Sequence, residues 1–211
     1  MNPDFIGKPN NLNSYMKERK EWIRCITKYA AKVGLSPRFR LKVSGVENLP
    51  QKSAFVLLPK HQRWEDIPLT AVATPRPLYY VAKYELFTNP LKGWFLTAVG
   101  GIPLNRQRPL ESRRSMKAVI EYLKKGEGIV VFPEGTWFKG KMGPGQTGMI
   151  RLILSRLSLP FIPMGINYSQ DGRRTLARIK YGKAFYADPE APPVQFLEHM
   201  MKEIAILSGL S

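Results

Sequence analysis

The sequence predicts an α/β domain: a mixed, largely parallel sheet flanked by helices, with an N-terminal amphipathic helical segment. Two observations carry this. Short apolar runs alternate with longer stretches of helical periodicity along most of the chain. Two of those runs, AFVLL (54–58) and GIVVF (128–132), are unbroken, as in strands covered on both faces. With 211 residues, 44% hydrophobic and 23% charged, the chain can build one substantial core, and wholesale disorder is excluded.

The elements follow in order. Residues 1–11 read as a polar leader, and 12–33 as a helix with Leu12, Tyr15, Trp22, Ile23, Ile26, Tyr29, Ala30 and Val33 on one stripe. Lysines and Arg24 fall largely off that stripe; Gly34 and Pro37 end the helix. FRLKVSG (39–45) alternates like a half-buried strand, and 54–58 is a buried one. A helix starts near Glu65 or Asp66, carries Pro68 in its first turn and runs to Ala73. LYYVA (78–82) is a strand, 83–98 is helical in two pieces around Pro90, and GIPLN (101–105) is a strand. Ser112–Lys125 is a helix, 128–132 a strand, 145–157 a helix and 161–166 a strand. Residues 175–186 suggest further strand, and 194–207 a final helix striped by Leu197, Met200, Met201 and Ile204.

Thirty-three Lys plus Arg against sixteen Asp plus Glu leave a net charge of +17, which favours anionic partners. A single cysteine, Cys25, excludes an internal disulfide and a cysteine-built metal site; a small buried core residue is its expected role. No basic segment followed by an apolar one opens the chain, and no stretch is expected to span a bilayer.

In such sheets the reactive loops leave the carboxyl ends of the strands. Three polar clusters fall there: KHQRWED after 54–58, NRQR after 101–105 and PEGTWFKG after 128–132. His61 can present its ring in a cleft, while Asp66, in the next helix's first turn, turns back to accept an imidazole N–H. The alternative is a partly buried histidine beside an incidental helix-start aspartate. His199 lies on the polar side of the last helix, where a solvated face is the default. No G-x-S-x-G elbow accompanies His61, which suggests that the substrate supplies the hydroxyl. His61, Glu65, Asp66 and Glu134 do not form a recognised ligand spacing, so no metal is expected. Arg106 and Arg108 suit phosphate or a solvated basic loop; Gly135 permits a turn that other residues resist.

Together these stretches resemble the glycerolipid acyltransferase family, the 1-acylglycerol-3-phosphate acyltransferases among them. His61 to Asp66 fits its H-x4-D block, and AKYELFTNPLKGWFLTAVGGIPLNR (82–106) is similar to its second block, including Lys83 and Arg106. FPEGT (132–136) matches the third block through Thr136, and Pro163 within FIPMGI the fourth. Order and spacing agree from about residue 40 to residue 185. The resemblance implies His61 as general base and Asp66 as its orienting carboxylate. It implies a substrate-binding set of Lys83, Arg106, Glu134, Gly135, Thr136 and Pro163: Arg106 on the acceptor phosphate, Glu134 and Gly135 shaping the acceptor site, Pro163 serving packing or the acyl side. No cofactor is implied; the donor is an acyl thioester on coenzyme A or acyl carrier protein. Two positions depart from the family. Lys60 stands where Asn is common, and Trp137 replaces the third-block arginine, leaving Lys139, Lys141 or Arg63 as substitutes.

The expected division is a membrane-associating helical segment at 1–35 and an acyltransferase domain at 36–211, peripheral or monotopic on the cytoplasmic membrane face. Trp22, Ile23, Ile26 and Tyr29 would enter the acyl boundary of an anionic surface while neighbouring lysines meet headgroups; the same stripe could instead pack on the core. Expected partners are a lysophospholipid, the acyl thioester, the membrane surface and acyl carrier protein, with no nucleic acid. Three other readings stay open: a different lysolipid acceptor, a basic nucleic-acid-binding module, or a non-catalytic membrane-surface protein.

Overall fold

Apolar runs set the centre of the sheet. In the computed structural model, which describes residues 21–108 and 112–210, β2 (Phe55–Pro59) and β5 (Gly128–Val130) are buried at every position. Around them lie β1 (Phe39–Ser44), β3 (Leu78–Lys83), β4 (Gly101–Leu104), β6 (Phe161–Asp171) and β7 (Arg174–Tyr181), in the order β1-β7-β6-β2-β5-β3-β4. Every neighbouring pair is parallel except β6 and β7. The predicted class, a mixed and largely parallel sheet flanked by helices, is therefore borne out.

The period of two along β2 divides the core. Val56 and Leu58 face one layer, built with α4 (Arg113–Lys124), α5 (Thr147–Leu154) and α6 (Pro193–Ser208). Phe55 and Leu57 face the other, closed by α2 (Asp66–Ala73) through Leu69 and Ala73. α1 (Glu21–Leu35) lies across α2, and the predicted two-piece stretch is a short 3-10 turn (Tyr84–Phe87) followed by α3 (Pro90–Ala98). The Asn89 side chain caps α3 by accepting the Lys92 N–H, with Pro90 at its first position.

Some boundaries differ from expectation. β6 runs on to Asp171 because Gly172, at φ 60°, turns it into a hairpin with β7. α5 is shorter than 145–157. Cys25 is exposed and not the buried core residue expected. Residues 1–11, and 12–20 of the expected first helix, lie outside the described residues.

Gly165, in the middle of β6, lets α6 approach the sheet: a Cβ there would collide with the Leu207 backbone. Gly165→Ala is expected to destabilise the domain by about 1–3 kcal/mol through overpacking, read as a lower midpoint in thermal or urea unfolding.

Candidate active site

β2 ends at Pro59, and the chain turns through Lys60–Glu65 before α2 begins. Asp66, in the first turn of α2 and fully buried, organises that turn. Its Oδ2 accepts the backbone N–H groups of Gln62 and Arg63 and faces His61 Nδ1 at 3.1 Å. Its Oδ1 accepts the Tyr168 hydroxyl from β6. With Nδ1 against a carboxylate, the proton belongs on that nitrogen, and Nε2 is left to accept one from a substrate. Phe132 packs on the His61 ring at a centroid distance of 4.2 Å, and Trp137 meets it edge-on at 6.0 Å.

A second buried group holds the backbone of the same turn. Lys60 Nζ lies 2.8 Å from both Glu134 carboxylate oxygens and donates to the Phe138 and His61 carbonyls. Glu134 also accepts the His61 N–H at 2.9 Å and the Gly143 N–H at 2.6 Å. Burial draws the Lys60 ammonium below the usual lysine range, and its bonds to Glu134 work against that pull. The pair thus joins the loop after β2 to the loop after β5.

Gly135 follows at φ 68°, a conformation that favours glycine. A Cβ there would strike the Arg106 guanidinium, whose Nη1 donates to the Gly135 carbonyl at 3.2 Å. Partial burial weighs against the charge of Arg106, and the Glu85 carboxylate offsets it.

These groups surround one end of a largely apolar cavity of about 510 Å³. His61, Lys83, Arg106, Gly135, Thr136 and Trp137 line it there; its walls continue along α2, β3 and α3 to Thr27, Lys28 and Ala31 of α1. Asp66 lies behind His61. Two expected substrate-binding residues do not line the cavity. Glu134 is consumed by the buried network just described. Pro163 sits inside the sheet beside Leu58, with its carbonyl accepting the Gly182 N–H, so its place is packing. Of the suggested stand-ins for the family arginine, Arg63 is stacked 3.9 Å above the Tyr168 ring, and Lys139 and Lys141 are not among the cavity-lining residues.

α1 turns its more apolar side outward. Trp22, Ile26 and Tyr29 are 62%, 61% and 71% exposed. Ile23 departs from the expected contact set: at 5% exposure it packs inward, one turn before Thr27 and two before Ala31. Lys28 reaches the Thr74 carbonyl at the end of α2 at 2.7 Å.

Sequence reasoning missed Tyr168 and Gln62. Gln62 donates to the Ile166 carbonyl at 2.7 Å and accepts the Gly140 N–H at 2.9 Å, fastening the turn after β2 to two neighbours. For Tyr168 the available signal was strand alternation, because Ile162, Met164 and Ile166 point to the same side of β6. Burial, then the adjacent Asp66 carboxylate, push its hydroxyl well above the usual phenol range, so it remains a donor.

Comparison with known proteins gives one consistent picture. A family model described as acyltransferase matches residues 40–167. A chloroplastic 1-acyl-sn-glycerol-3-phosphate acyltransferase of Brassica napus is 30% identical over 148 residues, 69% of this chain and 42% of that protein. The 1-acyl-sn-glycerol-3-phosphate acyltransferase of Bacillus subtilis is 42% identical over 108 residues, 51% of this chain and 53% of that protein. The chain thus spans about half the length of these curated relatives. The crystal structure of a 1-acyl-sn-glycerophosphate acyltransferase from Thermotoga maritima superposes with a TM-score of 0.71 at 22% identity, covering 90% of this chain and 79% of that one, and shares the fold.

The buried pair generates a stability prediction. Glu134→Gln leaves Lys60 as an uncompensated buried cation and is expected to cost about 3–5 kcal/mol. Urea unfolding at neutral pH measures it; a loss below about 1 kcal/mol would show that the pair does not hold the two loops.

Proposed function

Because the chain belongs to the acyltransferase family, we propose that it moves a fatty acyl group from a thioester to the hydroxyl of 1-acylglycerol-3-phosphate, giving phosphatidic acid. One observation carries the reading: a histidine ring held by a buried carboxylate opens onto a largely apolar cavity, with Arg106 and Lys83 beside it.

The chemistry follows from that arrangement. His61 Nε2 takes the proton of the acceptor hydroxyl as its oxygen bonds to the thioester carbonyl carbon. The resulting tetrahedral adduct expels the thiolate, which recovers the proton from the imidazolium while Asp66 stabilises its charge. The acceptor supplies the nucleophile, so no acyl-enzyme forms. Tyr168 keeps Asp66 aimed at His61. Arg106, seated on Gly135, grips the acceptor phosphate with Lys83 as the second cation and Thr136 at the same mouth. The cavity takes the acyl chain. The donor carrier is coenzyme A or acyl carrier protein, both anionic and both suited to a +17 protein.

The 1–35 segment is the proposed membrane-associating part, on a cytoplasmic face. Among the described residues no helix is long and apolar enough to cross a bilayer, whereas α1 exposes Trp22, Ile26 and Tyr29 and presents its mixed face to the domain. A second reading, another lysolipid as acceptor, is favoured by Trp137: an aromatic edge stands near His61 where the family carries an arginine.

The central test offers purified protein an acyl thioester with lysophosphatidate and identifies the product by mass. His61→Ala is expected to lower the rate by roughly 10²–10⁴-fold with the fold retained. Tyr168→Phe should lower kcat, by roughly tenfold if one charge-assisted bond to Asp66 is lost, and leave KM unchanged. Near-normal turnover in His61→Ala would sink the mechanism.

Acceptor recognition is tested separately. Arg106→Ala should weaken acceptor binding by about 1.5–3 kcal/mol, seen as a raised acceptor KM with donor KM little changed. In Trp137→Arg, a gain on lysophosphatidate together with a loss on another lysolipid would assign the native acceptor to that second lipid.

Membrane contact is read by liposome sedimentation. Changing Trp22, Ile26 and Tyr29 to Ser should weaken binding, more on anionic than on neutral vesicles, while a short water-soluble acceptor is still turned over. Unaltered binding with an unchanged circular dichroism spectrum would place the contact elsewhere.

A further inference from the structure

The side of β1 and β7 turned away from α1 is basic. Leu41 and Val43 of β1, with Ala177 and Ile179 of β7, belong to the core layer closed by α2. Leu41 and Val43 also share a groove with Tyr29 and Lys32 of α1. The intervening residues therefore project from the other side of the sheet: Arg40 and Lys42 from β1, and Arg174, Arg178 and Lys180 from β7. α6 covers that side as far as β6, where Gly165 lies against Leu207 and Asn167 donates to the Ser208 carbonyl at 2.9 Å. Lys42 and Lys180, on the strands beyond, are exposed.

The charge on this face is one-sided. Asp171 is the one carboxylate at these strand positions, and Arg40 takes it at 3.3 Å. Lys42 stands beside Arg178 in the strand register, about 4.8 Å away at the backbone, and like charges this close repel. Lysine on an edge strand guards it against pairing with another chain. That accounts for Lys42 but not for Arg178 and Lys180, because β7 is paired on both edges. An anionic partner relieves the repulsion.

The face also reaches the end of the sheet that carries His61. Pro59, the last residue of β2, is level with Met164, and β6 continues past it to Asp171. Lys42 and Arg178 are level with Asn167, next to the Tyr168 that bonds Asp66. The loop bearing the exposed Lys139 and Lys141 is fastened to the same strand, since Gln62 joins the Gly140 N–H to the Ile166 carbonyl. Positive charge thus continues from the sheet face toward the His61 turn.

We infer that this face of β1 and β7 is the docking surface for an acidic carrier protein that presents the acyl thioester on a flexible arm. The inference rests on the acyl-transfer reading and names the donor's carrier. A bilayer that meets the outward stripe of α1 lies on the opposite side of the sheet, so lipid and carrier approach without competing. Cations spread over two strands, outside the cavity, suit a folded partner with many carboxylates.

The experiment measures turnover of lysophosphatidate by the full-length protein with palmitoyl-acyl carrier protein and with palmitoyl-coenzyme A. Lys42→Glu/Lys180→Glu is expected to raise KM for the carrier-bound donor at least about tenfold, with KM for the coenzyme A donor and kcat little changed. Lys42→Arg/Lys180→Arg should behave as the wild type, and added salt should raise the wild type's KM for the carrier-bound donor. An unchanged carrier KM in the Glu variant, or an equal rise with both donors, would overturn the inference. So would a wild type that uses palmitoyl-coenzyme A alone, with acyl transfer itself intact. Loss of anionic-vesicle or oligonucleotide binding in the Glu variant, at unchanged carrier KM, would overturn it and assign the face to a membrane or a nucleic acid. Turnover of neither thioester by the wild type would overturn the acyl-transfer reading and this inference with it. Thermal unfolding of each variant confirms that the folded protein is being compared.

Discussion

The buried bond between Lys60 and Glu134 is the joint on which the site hangs. Neither side chain touches solvent, and each carries partners beyond the other: two carbonyls on Lys60, two backbone N–H groups on Glu134. Removing two charges from water is repaid only when geometry and further hydrogen bonds are this complete. Its product is positional. Glu134 fixes the backbone of His61, while Asp66 fixes the ring, so two carboxylates with different tasks hold one histidine from two directions. The neighbouring glycine then becomes intelligible, since a loop pinned at Glu134 must turn sharply at Gly135 to bring its carbonyl to Arg106.

α1 reverses the usual arrangement of an amphipathic helix. Its inward side holds Ile23, Thr27, Lys28 and Ala31, and its outward side large aromatic and aliphatic groups. Burial against the domain therefore does not explain the apolar stripe, and the end of α2 offers the lysine in the inner face its Thr74 carbonyl. The stripe was readable in the sequence; which of its members face outward was not, because Ile23 and Ile26 stand only about 60° apart around the helix, a difference that packing against α2 resolves.

The fold was legible wherever burial was complete. AFVLL and GIVVF could be recognised as covered strands because nothing in them is polar, and the break into two helical pieces was visible at Pro90. The long second half of β6 was not, since NYSQD is polar and pairs only because Gly172 folds β7 back upon it. The site divided along the same line. His61 and Asp66 are five residues apart and declare each other, and Arg106 and Gly135 sit in recognisable blocks. Tyr168 lies 102 residues from Asp66, and Lys60 read as a departure until its partner, 74 residues on, was in view. Glu134 and Pro163 were assigned to substrate by their motif, yet motif membership does not distinguish a side chain that lines a cavity from one that braces the loop or strand behind it.

The strand order has a consequence for the making of the protein. β2 is complete by residue 59, but its neighbours in the sheet are β5 and β6, which begin at residues 128 and 161. As the chain leaves the ribosome, a wholly apolar five-residue strand therefore waits for most of the polypeptide to be synthesised before either edge is covered. Closing such distant pairings is slow, and an unpaired apolar edge is prone to join another chain meanwhile. The His61 turn directly after β2 consequently forms late, when β6 arrives bearing Tyr168, so a nascent chain stopped short of β6 would leave one edge of an aggregation-prone strand uncovered and possess no assembled site.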